Sequence, residues 1–262
     1  MWIMFGRLST KGITSHKVSE AHGLTSVEYR IRETHGIIIT DHYPAIDAAL
    51  LSIREERETL IDYLDTCPFF EYSLEPMGVI EGPRVVHLMS RVSDAVGVGP
   101  MAAVAGVLAD LAAERMIEWG AKVAVVENGG EASLYSDRPL VVSVGVGDCS
   151  LSNRIGFKVV DFPCGVATSS GRYSHAFSEG DADSVTVFGV NAGLADAVAT
   201  MAANKVMGEA GPDVIAGVKS ALSFEGVYGV LVIRDQRVSI GGRLPQIVSI
   251  ETSQHDAHIF GS

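Results

Sequence analysis

The chain has 262 residues, of which 47% are hydrophobic and 20% charged, and it carries a formal net charge of −12. That length suits one large domain or two small ones, with a core burying on the order of 70% of the unfolded surface. The acidic balance excludes general binding to a nucleic-acid backbone, which needs clustered lysine and arginine. It leaves room for small anions held by backbone amides or a bound metal ion.

The N-terminal stretch "MWIMFGRLSTKG" is too short in apolar residues for a signal peptide. No run reaches the roughly 18 apolar residues that a membrane helix needs. Cys67, Cys149 and Cys164 are odd in number and widely spaced, giving neither a CxxC pair nor a disulfide framework. They read as reduced thiols. The expectation is a soluble, cytoplasmic protein with neither nucleic acid nor membrane as partner.

In chain order, residues 25–33 alternate Val27, Tyr29 and Ile31 with Glu28, Arg30 and Arg32, the pattern of a half-buried strand. Gly36 is expected to break it, with 37–40 as its neighbour. Residues 45–64 keep helical spacing through Ile46, Leu50, Ile53, Leu60 and Leu64, and Pro68 ends that helix. A second helix is expected over 85–94. A third, of small residues, should run from Pro100 as its first residue to Gly120.

Strands are expected at 122–127, 131–135, 139–146, 156–162 and 184–190, helices at 192–206 and 213–222, and a closing hairpin at 226–242. The tail after Leu244 carries little signal. Strands come in runs rather than in strict alternation with helices, which points to an α+β fold rather than a doubly wound sheet.

Three places could carry chemistry. In "ENGGE", Asn128, Gly129 and Gly130 suit a plain hairpin, and equally a turn where a ligand lies against bare backbone flanked by Glu127 and Glu131. In "GVATSSGRYSHAF", Thr168, Ser169, Ser170 and Gly171 supply dense hydrogen-bonding capacity, and His175 can act as an acid or base. Local hydroxyl-to-backbone bonds are the plainer use of such a run, with only its ends looking like strand. In "GLADAVAT", Asp196 and Thr200 stand at i and i+4 on one helix face. Those oxygens suit Mg²⁺, and suit equally a carboxylate serving its own helix dipole and a hydroxyl satisfying its own helix.

The order "NGGE", then "ATSSGRY", then "ADSVTVFGVNAGLADAVAT" resembles the ApbE-like proteins, the superfamily of FAD:protein FMN transferases. The resemblance is clearest over residues 94–204 and is read as one ApbE-like domain spanning 1–262. It implies an α+β fold of two similar halves with a flavin nucleotide, FAD or FMN, in a cleft between them. It also implies Mg²⁺ on Asp196 and Thr200, and a ligand lined by Asn128, Gly129, Gly130, Glu131 and the 168–171 loop. "SDAVGVGPMAAVAG" stands where the family has its glycine-rich Asp-x-Gly-Gly-x-x-Lys-Gly segment, so Gly99 and Pro100 join the lining.

Departures from the transferases are specific. Their His-x-x-Asp-Pro-x-x-Gly motif is replaced by "SHAFSEGDADS", in which His175 is the candidate catalytic residue, and the glycine-rich segment offers Met101 and Ala102 in place of lysine. The chain resembles a cytoplasmic prokaryotic branch more than the transferases themselves. The expected partner is a small phosphorylated ligand, with either a transfer or hydrolysis at a phosphoanhydride or plain cofactor binding as the activity. An acceptor protein stays unidentified, and the small-residue helix offers a homodimer contact.

Overall fold

A computed structural model describes residues 13–143, 155–169, 182–207, 211–235 and 237–249, with 13–21 as backbone alone. The chain opens as a meander of β1 (Ile13–Ala21), β2 (Leu24–Ile31) and β3 (Thr34–Thr40). Val27, Tyr29 and Ile31 are buried while Glu28 and Arg30 are exposed, as their alternation requires. Gly36 does not end a strand. It lies inside β3 opposite Asn128, where a Cβ would sit 2.0 Å from the Glu127 carbonyl oxygen. The reversal comes earlier, at Arg32, whose φ is 55°.

The helix α1 (Pro44–Thr66) follows and buries Ala45, Ile46, Ala49, Leu50 and Ile53 against the sheet. The short α2 (Phe69–Tyr72) and α3 (Arg84–Val96) come next. The helix expected over 100–120 is in two pieces, the 3₁₀ turn η1 (Pro100–Ala103) and α4 (Val104–Glu118). Its alanines are spent inside the chain: Ala109, Ala112 and Ala113 are buried where α4 meets α1 and the sheet.

Beyond α4 come β4 (Val123–Asn128), β5 (Glu131–Ser136), β6 (Leu140–Ser143), β7 (Ile155–Val159), β8 (Cys164–Ser169) and β9 (Ser184–Gly189). The chain then runs through α5 (Ala192–Lys205), α6 (Pro212–Ala221), β10 (Val227–Arg234), β11 (Arg237–Gly242) and β12 (Gln246–Ser249).

Nine strands make one antiparallel sheet in the order β1-β2-β3-β4-β5-β8-β9-β10-β11, and the other three pair as β12-β7-β6. The fold is therefore α+β. The halves of the large sheet join where β5 pairs with β8, with Ala132 opposite Val166. Helices cover one face: Val107, Leu108 and Leu111 of α4 and Val198 and Ala202 of α5 share a core with Val85, Val86 and Met89 of α3. On the other face, Val142, Phe157 and Val159 of the small sheet pack on Val123, Val125, Leu134, Val166, Phe188 and Leu231. Each such fully buried side chain contributes about 1.5–3 kcal/mol relative to exposure. Among the described residues no single helix is long and apolar enough to cross a membrane.

Candidate functional site

The site is built where β4 and β5 turn beneath the N-termini of α4 and α5. Gly129 and Gly130 have φ of 71° and 117°, so the two-residue turn needs residues that tolerate positive φ at both positions. Asn128 and Glu131 close it as an antiparallel pair and so share one face of the sheet, the helix side. Asn128 Nδ2 donates to the Ala105 carbonyl at 3.0 Å and ties the turn to the first turn of α4.

Glu127 lies on the opposite face and bends back under the turn. Its Oε1 accepts from the Gly130 N–H at 2.7 Å, and Ile37 donates a second backbone hydrogen bond. Burial pushes its carboxyl up to about 7 against those stabilising bonds.

Asp196 of α5 accepts from the Gly106 N–H at 3.0 Å and from that of Ala105, so it caps the neighbouring helix rather than its own. Asp110 of α4 returns the favour: Oδ1 accepts from Ala192 N–H and Oδ2 from Gly193 N–H, both at 2.9 Å. Ser133 of β5 adds a side-chain bond to Asp110. Each helix thus meets a carboxylate of the other at its positive end. The approach is close enough that a Cβ on Gly106 would stand 2.3 Å from the Ala192 carbonyl oxygen.

Burial raises the carboxyls of both Asp110 and Asp196, and their mutual proximity raises Asp196 further. Glu131, 9% exposed, is pushed well above the usual carboxylate range by burial and then by the charges of Asp196 and Glu127. Acidic groups therefore converge under one turn, a charge distribution that a bound cation would relieve.

A family model described as AbpE bacteria matches residues 19–222. The chain belongs to that family. With it comes membership of the ApbE-like superfamily. This AbpE-family chain is 41% identical over 199 residues to a UPF0280 protein of Methanothermobacter thermautotrophicus, spanning 74% of this chain and 77% of the relative. A UPF0280 protein of Methanosarcina acetivorans is 37% identical over 226 residues, 85% of this chain and 88% of the relative. Among solved structures, the ApbE protein of Thermotoga maritima aligns at 14% identity and a TM-score of 0.49 over 88% of this chain and 96% of its own. The flavinyl transferase ApbE of Pseudomonas stutzeri aligns at 14% identity and a TM-score of 0.48, covering 88% and 94%.

The residues expected to form the site are partly gathered. Glu131 meets Asp196, Asn128 is tied to Ala105 beside it, and a Cβ on Gly130 would be 4.0 Å from the Thr168 carbonyl oxygen, so the end of β8 borders the turn. Residues 164–169 are a strand rather than a loop, and its pleat separates the hydroxyls. Thr168 Oγ1 pairs with Thr186 Oγ1 at 2.9 Å on the small-sheet side, which leaves Ser169 on the helix side. Gly99 abuts the backbone of Ser73 and Leu74, where a Cβ would be 1.9 Å from the Ser73 oxygen, and Pro100 opens η1 beside α5. Thr200 lies one turn after Asp196, half-buried. Ser170, Gly171 and His175 lie outside the described residues, as does Cys149. Cys164 is buried, which pushes its thiol up to about 11 and keeps it protonated at neutral pH.

For a divalent metal, no group of three His, Cys, Asp or Glu exists among the described residues. Asp196, Thr200 and Glu131 carry oxygen donors of the type Mg²⁺ takes, one or two carboxylates completed by water and ligand phosphate. Asp196 already accepts from the N–H groups of Gly106 and Ala105.

Asp110 escaped the sequence reading. Its signal was present, because Leu108-Ala109-Asp110 on α4 matches Leu194-Ala195-Asp196 on α5. A carboxylate in the same Leu-Ala-Asp setting on two alanine-rich helices marks the crossed capping.

Proposed function

We propose that this chain binds a flavin nucleotide, FAD or FMN, over the Asn128–Gly130 turn, together with Mg²⁺ held by Asp196 and Thr200. The observation that carries the reading is the convergence of Glu131 and Asp196, both raised by burial, beneath a turn of two glycines. A phosphorylated ligand lying on bare backbone brings anionic oxygens to a metal that the carboxylates attract. Bound Mg²⁺ supplies charge stabilisation as a phosphoanhydride is cleaved or FMN is transferred. Asn128 fixes the turn against α4, and Glu131 lies beside Gly129 to meet hydroxyl or amide groups of the ligand.

A second reading, cofactor binding without catalysis, rests on "SHAFSEGDADS", which has no Asp-Pro after His175, and on Met101 and Ala102 where the transferases carry lysine. Isothermal titration of FAD with and without Mg²⁺ tests the binding common to both readings. Asp196→Asn keeps an oxygen for the Gly106 N–H and loses the charge, so Mg²⁺-dependent binding should weaken at least about tenfold while the fold persists. Equal affinity in variant and wild type refutes the metal assignment. A turnover assay with FAD and an acceptor peptide then separates transfer from storage.

A further inference from the structure

Residues 58–83 carry Glu58, Asp62, Asp65, Glu71, Glu75 and Glu81, all exposed, and no lysine, arginine or histidine. The same stretch displays apolar side chains to solvent. Phe69 is 80% exposed, Tyr72 73%, Leu74 74% and Ile80 95%. Large apolar groups this exposed are not explained by the core, because their neighbours Phe70, Met77 and Val79 fill it instead.

The segment is also held in place. Phe70 stacks edge-on against Tyr63 at 5.4 Å, Ser90 Oγ donates to the Met77 carbonyl at 2.7 Å, and Ser73 Oγ bonds both the N–H and the carbonyl of Glu75. The nearest following cation, Arg84, is engaged by Glu114 at 2.6 Å.

We propose that residues 68–82 form a docking ledge for a partner polypeptide that presents apolar side chains flanked by lysine or arginine. Aromatic and aliphatic anchors supply the affinity of such an interface, and the carboxylates around them select a basic partner and speed its encounter. A second copy of this chain would bring the same carboxylates against themselves, which like-charge repulsion disfavours. An anionic membrane surface is disfavoured for the same reason.

The ledge adjoins the candidate site. Gly99 touches Ser73 and Leu74, and η1, about 8 Å long at a 3₁₀ rise of ~2 Å per residue, leads from there to the α4 turn that Asp196 caps.

The test is fluorescence anisotropy with a labelled synthetic amphipathic peptide of leucine and lysine, titrated with the full chain. Phe69→Ser combined with Ile80→Ser removes two solvent-facing anchors, and circular dichroism verifies that the fold is kept. The proposal expects saturable binding that weakens at least about tenfold in this double variant. Replacing the peptide's leucines by serine should weaken it as much, and raising the salt should weaken it further. Ile247→Ser, 48% exposed on the small sheet, should leave it unchanged.

No binding, or equal binding by wild type and the double variant, overturns the proposal. So does sedimentation showing a dimer of this chain that the double variant abolishes, or tight binding to phosphatidylserine vesicles lost in the same variant. No nucleotide enters the measurement, so its outcome is separate from that of the flavin reading.

Discussion

Glu127 concentrates the physics of the candidate site in one side chain. Its carboxyl is raised from 4.5 to about 7, chiefly by burial, although Gly130 and Ile37 donate to it. Between those two values the folded chain holds a proton that the unfolded chain has released. Stability therefore falls as pH rises through this window and the deficit is complete above it. Glu127→Gln keeps an acceptor for the Gly130 N–H and cannot ionise. Urea midpoints at about pH 5 and about pH 8 should show the variant gaining on wild type at the higher value. A variant-minus-wild-type difference that is the same at both pH values would mean that Glu127 ionises as freely in the fold as outside it. Asp196 is raised to about 7 in the same way, so saturating Mg²⁺ should raise the melting temperature more at the higher pH, where Asp196 is charged.

At the scale of elements, the two central helices cap one another across a backbone contact. Asp110→Ala removes the acceptor for Ala192 and Gly193 and should cost about 1–3 kcal/mol. The loss should appear locally, as faster hydrogen exchange at the first turn of α5 before any change at α1. Gly106→Ala is harsher, because its Cβ would meet backbone at 2.3 Å rather than a side chain that can swing away. Thermal denaturation should show it well below wild type, or unfolded.

These contacts explain why parts of the chain were legible in the sequence and others were not. Strands β2, β4 and β9 declare themselves through Val27, Tyr29 and Ile31 or through continuous apolar runs, because one or both faces are buried in bulk. β8 is hidden because Gly165, Ala167 and Ser169 are small where the helix layer presses close, so it is weak in strand chemistry despite central pairing. β12 is mostly exposed and carries no alternation to read. The break between η1 and α4 falls at Ala103–Val104, with no Gly or Pro there to announce it, where Asp196 arrives from α5 to cap the first turn of α4. The pairing of Asp196 with Thr200 on one helix face was visible from spacing. That Asp196 would cap a different helix depended on a tertiary contact that no local pattern encodes.

At the scale of the whole molecule, the large sheet is loaded unequally. Helices cover one face with two hydrophobic cores, while a three-stranded sheet, β6, β7 and β12, covers the other. Phe157 is the main anchor of that thin layer, fully buried and 5.0 Å from the ring of Phe188. Phe157→Ala leaves a cavity at the seam between the sheets and should cost about 3–5 kcal/mol. The Asn128–Gly130 turn is tied to Ala105 of α4 on the helix side of the sheet, whereas Phe157 packs in the cluster on the opposite face. Loss of the small sheet should therefore precede loss of the turn. In hydrogen exchange on the Phe157→Ala chain, amides of β6 and β7 should open first, while those of β4 and α4 keep near wild-type protection. Simultaneous opening of all four elements would show instead that the thin layer and the helix layer unfold as one unit, and that the candidate site draws its rigidity from both faces of the sheet.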